Sequence, residues 1–400
     1  MLGTAVAQIL PLIIMPVLTR LYSEEEFGVF STFLAYSVVL IVAASGRYHV
    51  AILLPKENDE ALKVFSLSNT ITLYYSLFLL VFSFIIYFVF ESPLNKSGLI
   101  FLIPFYVCFF GLWQSLYNLL IRLKKFNKTA ISKVIQSIGY TSTSSVIGLF
   151  FTTLGLAIGK IVGIISAYLF LAKNDNIYKN SFPFAELKSV ALKYIDYPKY
   201  SLLPAFLDTL SLQALIILIG YYYTELELGY FGLTNMCFAA PLALIGTSFR
   251  DVFYQRITFL INQDKINLAK AFFLKSSLIL AVLGIVISAT LLIGGEFLFS
   301  FVFGEKWTTS GLFASILALS LAIRLTVSPL SSVLYATGNV KTVSIWQTTY
   351  FITTFSVLFT SILVYKLDIY NLLKVYVCHE LVLYSLYYYL QYNSLNKLMK

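Results

Sequence analysis

Three cations stand inside stretches that are otherwise apolar: Lys133, Lys160 and Arg324. A charge at the centre of a membrane-spanning helix costs ~2.5–3.5 kcal/mol on the mildest scale, so such residues default to a functional reading. Cations held in a nonpolar medium suit the binding of an anion, a phosphate above all. Arg47 and Arg250 each follow an apolar run and are expected at the mouth of such a site, where topology charges would serve as well. Two acids, Asp208 and Glu380, also lie in apolar runs and can pair with a cation or titrate; a structural ion pair accounts for them equally. Lys133 sits within a turn of its run's end, where snorkelling would also explain it. His379, next to Glu380, reads as packing, and the two histidines form no metal or base constellation.

The elements that must position these groups follow from composition. Hydrophobic residues make up 59% of the chain and charged residues 12%, with a mean hydropathy of +0.83. Apolar runs of about twenty residues recur along the whole length, each able to cross ~30 Å of hydrocarbon as a helix. The runs are continuous rather than alternating, which favours helices over a barrel. They predict an all-α polytopic membrane protein with about twelve spans. The formal charge of +9 does not require a nucleic-acid partner: of 28 Lys and Arg, only Arg20, Lys96, Lys306 and Lys366 fall in loops of one side. Such a bias places both termini in the cytoplasm. Cys108, Cys237 and Cys378 fall within runs without CxxC spacing, so neither a disulfide nor a metal is expected. No cleavable signal peptide is legible. No Walker-type loop is present, and no cofactor is expected.

The chain repeats itself. Tyr22–Phe30, YSEEEFGVF, aligns without a gap on Tyr223–Phe231, YTELELGYF. This divides the chain into an N-terminal six-helix bundle (1–173), a cytoplasmic linker with an amphipathic helix (174–200) and a C-terminal six-helix bundle (201–400). An even repeat implies pseudo-twofold symmetry along the membrane normal. Pro11 and Pro16 predict a bent or broken first helix, with Thr4, Gln8, Pro11, Met15 and Thr19 on one face. Lys133, Gln136, Ser137, Tyr140 and Ser144 form a polar stripe at helical spacing, which argues for a wet interior. Lys160 shares its run with Gly155, Gly159 and Gly163, a ridge for close helix packing. In the linker, Phe184, Leu187, Val190, Ala191 and Tyr194 against Lys188 and Lys193 predict a short helix on the inner membrane surface. A basic cytoplasmic stretch is expected from Arg250 to Lys275, and the largest outer loop at Gly295–Ser310.

TRLYSEEEFGVF (Thr19–Phe30), GRYHVAILLPK (Gly46–Lys56) and FGEKW (Phe303–Trp307) resemble the Wzx-type polysaccharide or O-antigen flippases. These belong to the multidrug/oligosaccharidyl-lipid/polysaccharide (MOP) exporter superfamily, with drug antiporters and the lipid II flippase. Its members often carry an acid where His49 stands here. The resemblance implies a MATE-like, multi-pass protein of the bacterial cytoplasmic (inner) membrane that is not an enzyme. It implies movement of undecaprenyl-diphosphate-linked oligosaccharide units from the inner to the outer leaflet, by alternating access, for lipopolysaccharide O-antigen or capsule. Implied partners are the lipid-linked oligosaccharide, membrane lipids, H+ or Na+ as coupling ion, and a glycan polymerase with glycosyltransferases. On this reading Lys133, Lys160 and Arg324 line a cationic cavity, Arg47 and Arg250 flank its mouth, and Asp208 and Glu380 serve coupling or ion pairing. Two rivals stand beside it. A drug/cation antiporter of the same superfamily favours acidic lining residues; a membrane glycan polymerase needs reactive residues in a sizeable loop.

Overall fold

Backbone polar groups in hydrocarbon must find partners within their own segment, and the apolar runs duly fold as helices. The computed structural model describes residues 2–89, 93–150, 152–173 and 182–399, and no strand occurs among them. In order the helices are α1 (Leu2–Leu21), α2 (Glu24–Ala43), α3 (Tyr48–Ala51), α4 (Asn58–Val89), α5 (Pro93–Lys96), α6 (Leu102–Arg122), α7 (Phe126–Gly148), α8 (Thr152–Ala172), α9 (Phe184–Lys193) and α10 (Leu202–Tyr222). Then follow α11 (Glu225–Asn262), α12 (Ile266–Phe303), α13 (Thr308–Val327), α14 (Val333–Ala336), α15 (Val340–Phe359) and α16 (Ile369–Asn396). Among the described residues, nine helices are long and apolar enough to cross a membrane. The other long helices are α1, α7 and α16; α7 carries Lys133 and its polar stripe, and α16 carries His379 and Glu380.

The chain divides into two compact units, Met1–Tyr221 and Tyr222–Lys400. The division falls at the end of α10, which is therefore counted with the first unit rather than opening the second. The predicted linker survives in part: residues 174–181 lie outside the described residues, and α9 is present.

The repeated sequence does the same work in each unit. Ser23 caps α2: its hydroxyl accepts the Glu26 N–H at 3.2 Å, and the Glu26 carboxylate accepts the Ser23 N–H at 2.8 Å. Thr224 and Glu227 build the same capping box on α11, at 3.2 and 2.9 Å. Just ahead of each box a tyrosine hydroxyl donates to a distant carbonyl. Tyr22 reaches Ser144 near the end of α7 at 2.7 Å, and Tyr223 reaches Leu367 before α16 at 2.6 Å. Each unit thus ties the start of one helix to a carbonyl more than a hundred residues further along the chain.

In the first unit α7 and α8 pack face to face on the predicted glycine ridge. A Cβ at Gly163 would lie 2.9 Å from the Tyr140 backbone nitrogen, and one at Gly159 would lie 2.9 Å from the Tyr140 carbonyl. Only glycine permits this approach, and it sets Lys160 beside Tyr140. Gly163→Val is therefore expected to cost about 1–3 kcal/mol by overpacking. Gly294→Val, where only Leu298 comes near at 3.8 Å, is expected to be close to neutral. Monodispersity after a graded heat challenge compares the two; equal losses would contradict the packing account. Helix α1 runs through Pro11 and Pro16 without interruption, so of the expected bent or broken helix the broken form does not occur. The Pro16 carbonyl accepts hydrogen bonds from Thr19 and Arg20, at 3.1 and 2.7 Å.

Helix α9 docks on the start of α4. Lys63 bridges Asp59 and Glu186 at 2.8 and 2.9 Å, and Lys193 pairs with Glu60, which also accepts from the Tyr194 hydroxyl at 3.1 Å. The hydrogen bond to Glu60 holds the Lys193 ammonium above its usual range. Val190 is buried on the docked side, whereas Phe184 and Leu192 are exposed. The predicted apolar face is thus largely consumed by the protein itself, and Phe184 is turned away from it.

In the second unit α11 and α12 are longer than the ~30 Å hydrocarbon layer requires. The expected basic stretch is not a loop: α11 continues to Asn262 and α12 starts at Ile266. The turn between them closes with Asp264 at φ 55° and a 3.0 Å bond from the Lys265 N–H to the Leu260 carbonyl. The helix ends are held by an apolar core, where Phe253, Ile257 and Phe273 pack with Trp346 and Tyr387. Nor is there a loop at Gly295–Ser310. Helix α12 runs to Phe303, and a Cβ at Gly295 would meet the Gly311 carbonyl at 2.7 Å, so α12 and α13 stay in contact to the end.

Candidate functional site

The polar stripe of α7 opens onto a cavity of about 270 Å³ within the first unit. Its wall combines Gln8 and Pro11 of α1, Phe110 and Trp113 of α6, Lys133, Gln136, Ser137 and Tyr140 of α7, and Lys160 of α8. The two lysines come together because α7 and α8 pack through glycine and because α1 lies along α7. Pro11 contributes backbone polarity: lacking an N–H, it leaves the Ala7 carbonyl without its helical partner, and Ala7 also lines the cavity. The side chain of Thr4, expected on the same face, lies outside the described residues.

Charge in this cavity is unbalanced. The Lys160 ammonium sits 4.0 Å from the centre of the Tyr140 ring, and that of Lys133 sits 4.9 Å from the Tyr117 ring. No carboxylate lines the cavity, and no salt bridge reaches either ammonium among the described residues. A desolvated cation–π contact returns about 2 kcal/mol, less than the ~2.5–3.5 kcal/mol such a charge costs in a membrane interior. Two hydrogen-bonding groups on the same wall are also unspent: the Trp113 indole nitrogen and the Ser137 hydroxyl are buried without a partner. Such atoms are costly unless something else pairs with them. Two ammonium groups facing one cavity suit an anion with several acceptor oxygens.

One side of the site escaped the sequence reading. Tyr106, Phe110, Trp113 and Tyr117 form a ladder along α6, with centroid spacings of 5.9, 5.4 and 5.0 Å. Their helical spacing was visible in the sequence, but an apolar span offers many aromatic pairs, and only the packing of α6 against the cavity selects these.

The remaining candidates lie elsewhere. In the second unit Arg324 faces Glu380, Nε to Oε2 at 3.8 Å, and the Tyr350 hydroxyl donates to Glu380 Oε1 at 2.6 Å. Glu380 is fully buried. Arg324 is thus a compensated charge, unlike the two lysines. His379 stacks loosely near Tyr350 and Tyr376, with both ring nitrogens unpartnered. Arg47, at φ 66° before α3, donates to the Ser201 hydroxyl at 3.2 Å. Next to it His49 is buried, with Nδ1 2.6 Å from the Ser45 hydroxyl. Burial, with Arg47 adding, pushes that imidazole down to about 3, so it is neutral at physiological pH. Arg250 is exposed on α11, 3.7 Å from Asp251. Asp208, half-buried on α10, is engaged rather than free.

An inward-facing multidrug resistance MATE family transporter of the MOP superfamily superposes with a TM-score of 0.74 at 13% identity, covering 98% of this chain and 95% of its own. The lipid II flippase MurJ, in an inward closed conformation, gives 0.72 at 16% identity, covering 97% and 86%. A MOP superfamily transporter from Pyrococcus furiosus, described as having a binding pocket of reversed polarity, gives 0.62 at 14% identity, covering 100% and 95%. At these identities the likeness establishes the fold, which is that of the MOP-superfamily transporters. Among curated proteins none matches this chain in sequence. Residues 17–312 match the polysaccharide biosynthesis protein family, and the chain belongs to that family.

Proposed function

We propose that the protein is a flippase that moves undecaprenyl-diphosphate-linked oligosaccharide units from the inner to the outer leaflet of the bacterial cytoplasmic membrane. The product would feed a surface polysaccharide, O-antigen or capsule. The observation that supports this reading is a cavity with two ammonium groups and no carboxylate. Lys133 and Lys160 meet the diphosphate, the Trp113 indole and the Ser137 hydroxyl add hydrogen bonds, and the α6 aromatics offer faces to sugar rings. The prenyl chain stays in lipid, so only the headgroup needs a polar path. No covalent bond is made or broken. Arg47 and Arg250 enter as further basic charges for the anionic substrate, and Asp208 and Glu380 as acids that balance or carry a coupling ion, in an alternating-access cycle. Two negative charges moving outward across 100 mV, inside negative, gain ~4–5 kcal/mol. The antiporter reading fares worse, because a cationic drug entering this cavity meets two like charges.

Binding to the purified protein tests the reading. Each charge-assisted contact contributes ~1.5–3 kcal/mol, so an undecaprenyl diphosphate disaccharide is expected to bind at least tenfold more tightly than the neutral prenyl glycoside. Inorganic pyrophosphate is expected to compete. Equal affinity for the two lipids, or tighter binding of a cationic dye such as ethidium, would overturn it.

A further inference from the structure

The first unit contains a second cavity, larger and opposite in character, of about 660 Å³. It lies toward the end of the unit away from the basic turn Arg122–Lys128. Its walls are the middle of α2, the closing turns of α4, the opening turn of α6 and the end of α10. Among the described residues no charged side chain lines it. Two of its few hydroxyls are spent within their own helices: Thr32 donates to the Gly28 carbonyl at 3.2 Å, and Ser83 to that of Leu80 at 2.7 Å. The cavity shares no lining residue with the cationic one. Exposed Phe82 and Val89 edge it, and the same helix presents exposed Leu77, Phe78 and Phe88 beside them. It therefore opens onto the surface that α4 gives to hydrocarbon.

We propose that this cavity binds one hydrocarbon chain of a membrane lipid. A large apolar cavity does not hold water and takes apolar ligands instead. Its volume lies within the ~300–1,000 Å³ of known ligand sites. Here the surrounding medium is itself made of chains. A chain that enters loses nothing in hydration and exchanges fluid neighbours for a fixed wall, gaining dispersion contacts. The chain comes either from a phospholipid or from the polyprenyl carrier; only the second source rests on the function proposed above.

Photolabelling decides it. The full-length protein is placed in lipid nanodiscs doped with a phospholipid, or in a separate arm undecaprenyl phosphate, bearing a mid-chain diazirine. After irradiation, adducts are mapped by peptide mass spectrometry. At least one probe is expected to label Leu79, Ile86 or Ile103. Filling the cavity from two helices, by Ser83→Phe or by Ile103→Trp, is expected to cut that labelling roughly fivefold or more. Labelling of Leu77 and Phe88 should stay unchanged. Undecaprenyl labelling that excess phospholipid leaves intact assigns the carrier's chain; phospholipid labelling assigns a bound bilayer lipid. The proposal fails if the lining stays unlabelled while Leu77 and Phe88 react, or if lining adducts persist in both variants. Lys133 and Lys160 take no part, so this outcome is independent of the anion site.

Discussion

Lys160→Ala is expected to abolish surface glycan display while the protein remains in the membrane at near wild-type amount. The reason is the imbalance of charge around it. Lys160 and Lys133 face one cavity, each resting on an aromatic ring, with no acid to neutralise them. Removing one ammonium takes away a contact worth ~1.5–3 kcal/mol to a charged ligand, or roughly 10- to 100-fold in affinity. Lys133→Ala is expected to act in the same direction but less strongly, because its ammonium lies farther from its ring and nearer the end of its helix. Lys160→Glu should be worse than alanine, since it repels the same anion. The protein itself should tolerate Lys160→Ala, because the substitution removes a buried charge that the Tyr140 ring only partly offsets and no carboxylate among the described residues neutralises. Glycan on the cell surface and transfer of a fluorescent lipid-linked sugar in proteoliposomes are the two measurements. Wild-type activity in both alanine variants would remove the cavity from the mechanism.

The Arg324–Glu380 pair predicts the opposite pattern. Glu380→Gln leaves a guanidinium facing a neutral amide in the interior, and breaking a buried pair from one side typically costs ~3–5 kcal/mol. Arg324 keeps part of its side chain exposed, so the lower end of that range is expected. Replacing both partners, Arg324→Met with Glu380→Met, removes the unmatched charge and is expected to recover most of the loss. Tyr350→Phe should fall between, because it deletes one hydrogen bond to the carboxylate. Helical membrane proteins often unfold irreversibly, so the fraction still monodisperse after heating is the practical readout. Single and double variants equally damaged would show that the pair is not coupled. A stable double variant that no longer transports would assign the pair to coupling; one that transports would make it a structural clasp.

Comparing the two sites shows what a one-dimensional reading can and cannot supply. The lysines stood out because a charge within an apolar run is conspicuous wherever it ends up. The glycines at 155, 159 and 163 stood out because their spacing matches a helix face; Gly159 and Gly163 carry the α7–α8 contact, while Gly155 makes room for the Tyr22 ring. The repeat of Tyr22–Phe30 at Tyr223–Phe231 was legible as well, and the structure shows what it does, pairing Ser23 with Glu26 and Thr224 with Glu227 within a single turn. The basic stretch expected at 250–275 is mostly helical, and the loop expected at 295–310 shrinks to the residues between Phe303 and Thr308, for a physical reason. Hydropathy locates the boundary of the bilayer, not the end of a helix, and α11 and α12 persist beyond it because their ends pack on other helices.

From its residues alone the chain settled its solvent, its helical class, the repeat of its opening motif and which charges stand inside apolar runs. Those depend on free energies of transfer and on hydrogen bonds within one or two turns, which any stretch of sequence carries with it. Which charges are met and which are left open was decided only by tertiary packing. Arg324 lies opposite Glu380 because α13 and α16 pack together, while Lys133 and Lys160 share a cavity without an acid because α1, α6, α7 and α8 bring none to it. Whether a buried cation is neutralised depends on what lies across a few ångströms of space, and residues far apart in the chain supply that neighbour.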